Sequence, residues 1–287
     1  MQERKAILWV AATPIGNLDD VTPSLRRVLS EADLILCEDT RRAGQLLHRC
    51  GLPKKPLQAY HDHNEEVWAD RLIERICTES LAVCLISDAG TPTISDPGYR
   101  LVRAAAQAGL RVSPIAGPCA GIALLSVSGL PTDRFSFVGF LPRKPSERAR
   151  EFASWKGTVI FYESLRRISK SLEELREVCP DARVVVGREL TKLHEEIVRG
   201  SVDDILSWAK GHAVLKGELT VVVYVSGVSG EGLSSENLKE RIIKAIVKGE
   251  DIRSLVRQFG EKAGGLPRAE LYRMMLEHHP RSSRAKP

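Results

Sequence analysis

Apolar runs and amphipathic segments alternate along the first 128 residues. Short apolar runs bounded by turn residues predict strands, whereas apolar residues that recur every three or four positions predict helices. The predicted strands are Ala6–Ala12, Leu34–Cys37, Leu81–Ile86 and Arg111–Ile115. The predicted helices are Ser24–Ala32, Arg41–Cys50, Glu65–Thr78, Tyr99–Ala108 and Ala120–Ser128. This alternation indicates a mostly parallel sheet covered by helices.

A second and less regular series follows. Its predicted strands are Phe135–Phe140, Thr158–Tyr162, Arg183–Val186 and Leu219–Val225, and its predicted helix is Ile168–Val178. Some connections look like hairpins, which indicates a mixed sheet. The predicted fold class is therefore α/β, with one α/β domain over residues 1–117 and a second over residues 118–228. A chain of 287 residues is long enough to form two such cores.

The last part of the chain, residues 229–287, predicts a small helical module. Ser226–Ser235 has the composition of a linker, and Arg281–Pro287 is a basic tail. Three short amphipathic helices are predicted between them: Glu236–Val247, Asp251–Phe259 and Arg268–Leu276. Helix, glycine-rich turn and helix are compatible with a helix-turn-helix-like module that docks on RNA. Packing on the rest of the chain or on a second subunit is equally compatible.

Three predicted strands lead into loops rich in glycine, proline and small polar residues. These loops are Ala12–Asp19, Ile86–Gly98 and Ile115–Gly121. Because the carboxyl ends of parallel strands meet at one edge of a sheet, the loops predict a shared ligand crevice. None of them matches the dinucleotide-binding or P-loop patterns. Asp88 and Asp96 disfavour a phosphate and favour a cationic or hydroxylated ligand.

Charge and cysteine usage narrow the class of protein. The net charge is +5, and residues 229–287 hold twelve Lys and Arg against eight Asp and Glu. The segment Leu141–Arg150 is a second basic cluster. Such patches favour a polyanion such as RNA, although charged surfaces are often only solvated. The six cysteines are scattered and form no Cys-x-x-Cys pair, so we expect an intracellular, metal-free protein. His61-Asp-His63 could supply metal ligands, but a substrate-side or structural role is favoured.

Several longer motifs resemble one known family. In the first half they are Thr13-Pro-Ile-Gly-Asn-Leu-Asp-Asp20, Cys37-Glu-Asp-Thr-Arg41, Ser87-Asp-Ala-Gly-Thr-Pro-Thr-Ile-Ser-Asp-Pro-Gly98 and Pro118-Cys119. In the second half they are Gly139-Phe-Leu-Pro-Arg-Lys144, Phe161-Tyr-Glu-Ser164, Gly187-Arg-Glu-Leu-Thr-Lys192 and Lys216-Gly-Glu-Leu-Thr220. From about residue 7 to 226 the chain resembles the ribosomal RNA small subunit methyltransferase I family. This family is the ribosomal RNA branch of the tetrapyrrole-methylase-like, class III S-adenosylmethionine-dependent superfamily.

The resemblance implies that S-adenosylmethionine lies in the cleft between the two α/β domains. It also implies 2′-O-methylation of a cytidine (cytidine 1402) of 16S rRNA by a cytoplasmic homodimer that has no membrane segment. Residues of the first half that would hold the cofactor are Thr13, Pro14, Gly16, Asp88, Ala89, Gly90, Thr93, Ile94, Ser95, Pro118, Cys119 and Ala120. From the second half, Tyr162, Leu190, Leu219 and Thr220 would close over the adenine.

The ribose 2′-hydroxyl is a weak nucleophile, so a hydrogen-bond acceptor near it should assist the transfer. The catalytic candidates are Glu38, Asp88, Asp96 and Glu163, together with Asp39. For Glu38 and Asp39, ion pairing with Arg41 or Arg42 is an equally good interpretation. Basic residues that would contact the RNA are Arg41, Arg143, Lys144, Arg148 and Arg150.

Two other functions stay open at this point. One is methylation of a tetrapyrrole or another small molecule, but tetrapyrrole-modifying relatives carry a glycine-rich first loop, whereas this chain has Pro14–Asp19. The other is a non-catalytic RNA-binding protein of ribosome assembly that has kept the fold. Such a protein would not need an intact Ser87–Gly98 loop, and here that loop is complete.

Overall fold

The computed structural model describes residues 6–62, 64–212, 217–226, 242–247, 249, 251–259 and 268–278. The chain divides into two compact units, Met1–Val225 and Ser226–Pro287. The first unit holds two five-stranded sheets and eight α-helices among its described residues. The predicted α/β class with two sheets is therefore confirmed. The boundary between the first two domains stays a prediction.

The first sheet is entirely parallel. Its strands are β1 (Ile7–Ala11), β2 (Leu34–Cys37), β3 (Leu57–Ala59), β4 (Ala82–Ile86) and β5 (Arg111–Ile115), in the order β3-β2-β4-β1-β5. Every residue of β2 and β4 is buried, as expected for strands covered on both faces. All five strands therefore point their carboxyl ends to the same edge.

Helices cover both faces of this sheet. They are α1 (Pro23–Glu31), α2 (Thr40–Arg49), α3 (Glu65–Thr78) and α4 (Tyr99–Gln107). Apolar side chains of α1 and α2 pack on one face, and those of α3 and α4 pack on the other. The start of α2 is set by Asp39, whose carboxylate caps the helix by accepting the N–H of Arg41.

The second sheet is mixed, as predicted. Its strands are β6 (Phe135–Phe140), β7 (Gly157–Ser164), β8 (Arg183–Arg188), β9 (Glu196–Ser201) and β10 (Glu218–Val225), in the order β6-β7-β10-β8-β9. Only β6 and β7 pair in parallel. The helices around it are α5 (Ala120–Ser128), α6 (Pro145–Ser154), α7 (Ile168–Val178) and α8 (Val202–Gly211). Apolar side chains of α6, α7 and α8 cover one face, and α5 covers part of the other.

Sequence patterns missed four of these elements for physical reasons. β3 has only three residues, and β9 is an edge strand rich in polar side chains. α6 carries few apolar residues and starts at a proline inside the basic cluster. α8 did carry a start signal: Ser201 and Asp204 form a reciprocal capping box.

The second unit is described in part. Residues 242–247 are helical, and two further helices span Ile252–Phe259 and Arg268–His278. They share a small core that includes Ile246, Leu255 and Leu271. The start of the first predicted helix, the glycine-rich turn, the linker and the tail fall outside the described residues. Within the part of the chain that the structure describes, we find no helix of the length and apolarity needed to cross a membrane.

Candidate active site

A cleft of about 630 Å³ opens between the two sheets of the first unit. One side is built by loops at the carboxyl edge of the first sheet. The other side is built by residues of β6, β7, β8 and β10 and by the residues next to β8 and β10. Two segments that carry most of the predicted cofactor residues, Asp88–Asp96 and Cys119–Ala120, both line it. The crevice predicted at this edge is therefore present, and it extends to the second sheet.

Hydrogen bonds between backbone groups, and from two threonine hydroxyls to backbone carbonyls, join the three glycine-rich loops. Thr13 and Gly90 form a two-way pair: the Thr13 N–H donates to the Gly90 carbonyl at 2.8 Å, and the Gly90 N–H donates back at 3.0 Å. The Thr13 hydroxyl donates to the Ser87 carbonyl, and the Thr91 hydroxyl donates to the Pro118 carbonyl at 3.0 Å. The loops therefore form one connected framework.

The Ser87–Gly98 loop adopts backbone conformations that most residues avoid. Gly90 has φ +86°, and Thr93 and Ser95 have φ +72° and +70°. Gly98 has φ +128°, and a Cβ there would lie 2.6 Å from Leu85 Cδ2, so glycine is required. Strained backbone of this kind tends to occur where a ligand must approach closely.

Carboxylates on this side are held mainly by backbone N–H groups. Glu38 accepts the Asp88 N–H at 3.1 Å, and Asp88 accepts the Asp39 N–H at 3.2 Å. Asp88 also pairs with Arg42 at 3.2 Å. Burial raises the pKa of Glu38, and the negative charge of Asp88 adds to the rise, whereas hydrogen bonds from Arg41 lower the pKa of Asp39.

Asp96 stands in a different environment. Its pKa is raised to about 7, chiefly by burial and then by the nearby charges of Glu38 and Asp88, against a hydrogen bond from Ser87 that lowers it. A carboxyl group with a pKa near neutrality can both accept and return a proton at physiological pH. Asp96 also lines the cleft, so its carboxyl group is accessible to a bound ligand.

Side chains of the second sheet form the opposite side. Tyr162 of β7 and Thr220 of β10 are register partners, and both line the cleft beside Leu190 and Leu219. Burial, with a further contribution from Cys119, raises the pKa of the Tyr162 phenol, so this group stays neutral. This side combines apolar and aromatic residues with the charged residues Glu189, Lys192 and Glu218.

Most predicted cofactor residues line the cleft, and the others lie next to it. The lining ones are Asp88, Ala89, Gly90, Ile94, Ser95, Cys119, Ala120, Tyr162, Leu190, Leu219 and Thr220. Thr13, Pro14 and Gly16 instead line a smaller cavity of about 240 Å³ that shares Arg42 and Asp88 with the cleft. Thr93 and Pro118 line neither cavity, and the Pro118 carbonyl supports Thr91.

Several lining residues were not among the predicted ones. They are Ile15, Arg42, Thr91, Phe140, Gly187, Glu189, Lys192, Gly217 and Glu218. Most of them belong to the motifs quoted above, so motif membership was the signal that could have found them. Arg42 lies one residue beyond the Cys37–Arg41 motif, whereas Phe140 belongs to the Gly139–Lys144 motif and also ends a predicted strand.

Glu163 does not face the cleft, which corrects its candidacy as a catalytic acceptor. It is only 1% exposed, and it accepts hydrogen bonds from the Ser171 hydroxyl at 2.9 Å and from the Ser164 N–H. Successive side chains of a strand point to opposite faces of the sheet. Since Tyr162 faces the cleft, Glu163 lies on the face covered by α7.

Arg148 is also corrected, because it is buried rather than available to RNA. It is 3% exposed, forms a bidentate pair with Glu174 at 2.7 and 2.8 Å, and donates to the carbonyls of Pro142 and Arg143. No helix was predicted over Pro145–Ser154, so the sequence did not show that Arg148 lies on the inward side of α6. Arg143, Lys144 and Arg150 are exposed, as is Arg41.

The structure describes only part of the His61-Asp-His63 segment, whose two histidines could be metal ligands. The described residues contain no group of three His, Cys, Asp or Glu side chains arranged to hold a metal ion. His63 lies outside the described residues. His61 is half-buried, and its backbone N–H donates to the Asn64 side chain at the start of α3.

Comparison with known proteins places the chain in a class and a family. Residues 8–206 match the model of the tetrapyrrole (corrin/porphyrin) methylases. A solved uroporphyrin-III C-methyltransferase from Thermus thermophilus, in complex with S-adenyl homocysteine, shares the fold with a TM-score of 0.51 and 21% identity, over 76% of this chain and 96% of that one. The fold and the cleft therefore define a methyltransferase of the tetrapyrrole methylase class.

Two curated relatives specify the family. The ribosomal RNA small subunit methyltransferase I of Halalkalibacterium halodurans is 39% identical, over 94% of this chain and 95% of that protein. The protein of the same name from Xylella fastidiosa is 42% identical, over 92% of this chain and 97% of that protein. The chain belongs to the ribosomal RNA small subunit methyltransferase I family. The predicted family, fold class and enzyme class, a methyltransferase dependent on S-adenosylmethionine, are confirmed.

The lining of the cleft fits this methyl donor. Nearby negative charge stabilises a sulfonium cation, and Glu38 and Asp88 line the cleft beside the half-buried Asp96. An adenine ring requires apolar contact, which Leu190 and the ring of Tyr162 supply. The chemistry of the residues therefore matches both ends of the donor.

Proposed function

We propose that this chain transfers the methyl group of S-adenosylmethionine to the 2′-hydroxyl of a cytidine in 16S rRNA, cytidine 1402 by family resemblance. The observation that carries the proposal is the cleft, in which acidic loops of the first sheet face aromatic and apolar residues of the second sheet, Phe140, Tyr162 and Leu190. The names of the curated relatives support the ribosomal substrate. The exposed basic residues after β6 support a polyanionic one.

The donor is held by both sides of the cleft. Loop residues from Asp88 to Ser95 bind its ribose and methionine parts, largely through backbone groups, and Cys119 and Ala120 border the same pocket. Leu190, Leu219 and Thr220 enclose the adenine, and Tyr162 closes the pocket beside it. When bound, the sulfonium supplies a methyl carbon that is already activated for displacement.

The residues of the chain then position the acceptor and move one proton. The ribose 2′-oxygen would bond to the methyl carbon as the sulfur–methyl bond breaks and S-adenosylhomocysteine leaves, and the hydroxyl proton would pass to a carboxylate oxygen of Asp96. Glu38 and Asp88 stay fixed by their backbone hydrogen bonds and keep the site negative. We assign Asp96 as the catalytic base because its pKa lies near 7 and it lines the cleft.

The basic surface beside the cleft holds the RNA backbone. Arg143, Lys144 and Arg150 are exposed around the start of α6, and Arg41 is exposed at the start of α2. Guanidinium and ammonium groups of this kind bind phosphates and set the register of a nucleic acid.

We further propose that the protein is a cytoplasmic homodimer. Light scattering tests the dimer, which should have twice the mass of the 31.7 kDa chain.

The decisive experiment maps the transferred methyl group. Purified protein is incubated with labelled S-adenosylmethionine and small ribosomal subunits from a strain that lacks the modification. We expect label on a single cytidine ribose of the 16S rRNA, and none on subunits that are already modified. Donor binding without transfer would contradict the proposal and favour a non-catalytic assembly protein.

A further inference from the structure

β6 ends on a partly exposed aromatic ring at the cleft. Phe140 lines the cleft and is 50% exposed. Its ring centroid lies 5.5 Å from that of Tyr162, which in turn contacts the ring of Phe137 at 5.1 Å. Phe140 is thus supported from behind by two aromatic rings, while its outer part stays open.

An irregularity of the strand aims this ring into the cleft. Phe137 pairs with Ile160, but Phe140 pairs with Tyr162, so two residues of β6 oppose one residue of β7. Without the extra residue, position 139 would pair with Tyr162 and Phe140 would turn to the opposite face. Bulges beside active sites commonly re-aim a side chain in this way.

Gly139 makes this bulge possible and ties it to the cofactor loop. Its φ is +67°, and a Cβ at this position would lie only 3.1 Å from Ser95 Oγ. The backbone of β6 therefore lies against the Ser87–Gly98 loop. Phe140 is fixed next to the residues that we assign to the donor and to the catalytic base.

The segment that follows the ring is also fixed and is basic. Two arginines hold its backbone: Arg167 donates to the carbonyls of Leu141 and Pro142, and Arg148 donates to those of Pro142 and Arg143. The next residue, Lys144, is exposed, as is the Arg143 side chain. An open aromatic ring is thus followed within four residues by two exposed cations.

We propose that Phe140 is a stacking platform for an unpaired base of the RNA at the acceptor position. Aromatic rings bind splayed bases of single-stranded RNA by stacking, and neighbouring cations bind the phosphates. Leu190, which we assign to the adenine of the donor, is 9% exposed, whereas Phe140 is 50% exposed, so Phe140 is the more accessible of the two to a large second ligand. This inference rests on the proposed RNA substrate.

The test compares two phenylalanines of the same strand. Phe140→Ala removes the ring, and Phe140→Trp keeps an aromatic surface. Phe135→Ala is the matched control, because Phe135 is 44% exposed and pairs with Thr158, on the same face as Tyr162 but about 13 Å along the strand and outside the cleft lining. Donor Kd is measured by calorimetry, subunit Kd by filter binding, and kcat/KM with unmodified small subunits.

We expect Phe140→Ala to lower kcat/KM and to weaken subunit binding by about fivefold or more, with donor Kd unchanged. Phe140→Trp and Phe135→Ala should stay within about twofold of the parent protein. Equal values for Phe140→Ala and Phe135→Ala would overturn the inference, as would a donor Kd weakened by the same factor, which would assign the ring to the donor. Failure of the parent protein to methylate subunits would contradict the proposed function instead.

Discussion

The two sides of the cleft are held in place by different kinds of interaction. On the side of the first sheet, loops are joined by backbone hydrogen bonds such as the pair between Thr13 and Gly90. On the side of the second sheet, the lining side chains stand on hydrogen-bonded strands, where Tyr162 and Thr220 are direct neighbours. A loop framework depends on unusual backbone angles, whereas a sheet keeps its shape when one side chain changes. Substitutions should therefore abolish function on the first side and reduce it by degrees on the second.

The largest expected effect is that of Gly90→Trp. Gly90 has φ +86°, and its N–H and carbonyl both bond to Thr13, so an indole here strains the backbone and fills the donor site. We expect calorimetry to detect no binding of S-adenosylmethionine. Gly109→Trp is the control, because Gly109 also has positive φ, +68°, but has open space around it. Donor binding by Gly90→Trp at the level of that control would contradict the site assignment.

A smaller effect, about a hundredfold loss of kcat, is expected for Asp96→Asn, because the amide cannot accept the hydroxyl proton. The parent protein should gain kcat/KM as the pH rises through about 7, where Asp96 loses its proton, and the variant should lack this rise.

The same group affects stability. The pKa of Asp96 in the folded state lies above the ordinary 3.8, so ionisation of this carboxylate opposes folding, and the free energy of unfolding falls as the pH rises from about 4 to 7. Asp96→Asn should consequently unfold no earlier than the parent at pH 8.

Glu163→Gln is the matched comparison for that variant. Both changes replace a carboxyl group by an amide, but Glu163 is buried on the α7 face, where it binds Ser171 and pairs with Arg167 at 3.2 Å. We expect kcat within about twofold of the parent and a loss of about 1–3 kcal/mol in the free energy of unfolding, measured with urea. A kcat as low as that of Asp96→Asn would return Glu163 to the catalytic candidates.

The two sides of the candidate site differ in how far the sequence could predict them. The loops were predictable because each motif is local and follows a strand of recognisable apolar pattern. The predicted strand Thr158–Tyr162 ends one residue before Glu163, whereas β7 continues to Ser164, so neither the opposite directions of Tyr162 and Glu163 nor which of them faces the cleft was predicted. That choice depends on α7 covering one face of the sheet, which is a tertiary fact.

Arg148 and Phe140 depended on structure that no local pattern encodes. α6 has too few apolar residues to predict a helix, so the inward direction of Arg148 could not be inferred. Phe140 faces the cleft only because a bulge shifts the register of β6. By contrast, most strands and helices of the first sheet were predicted to within one residue, because their apolar periods are regular.

The smallest expected effect concerns the basic segment after β6. Replacing both Arg143 and Lys144 with Ala should weaken RNA binding several-fold and reduce the slope of log affinity against log salt by about 0.7 for each phosphate that the protein no longer binds. Donor binding should not change, because neither residue lines the cleft. Arg176→Ala is the control: Arg176 is an exposed arginine of α7 that pairs with Asp203. A double variant with the salt slope of this control would exclude Arg143 and Lys144 from the RNA interface, and the contribution of the second side of the cleft would then depend on Phe140 without these two cations.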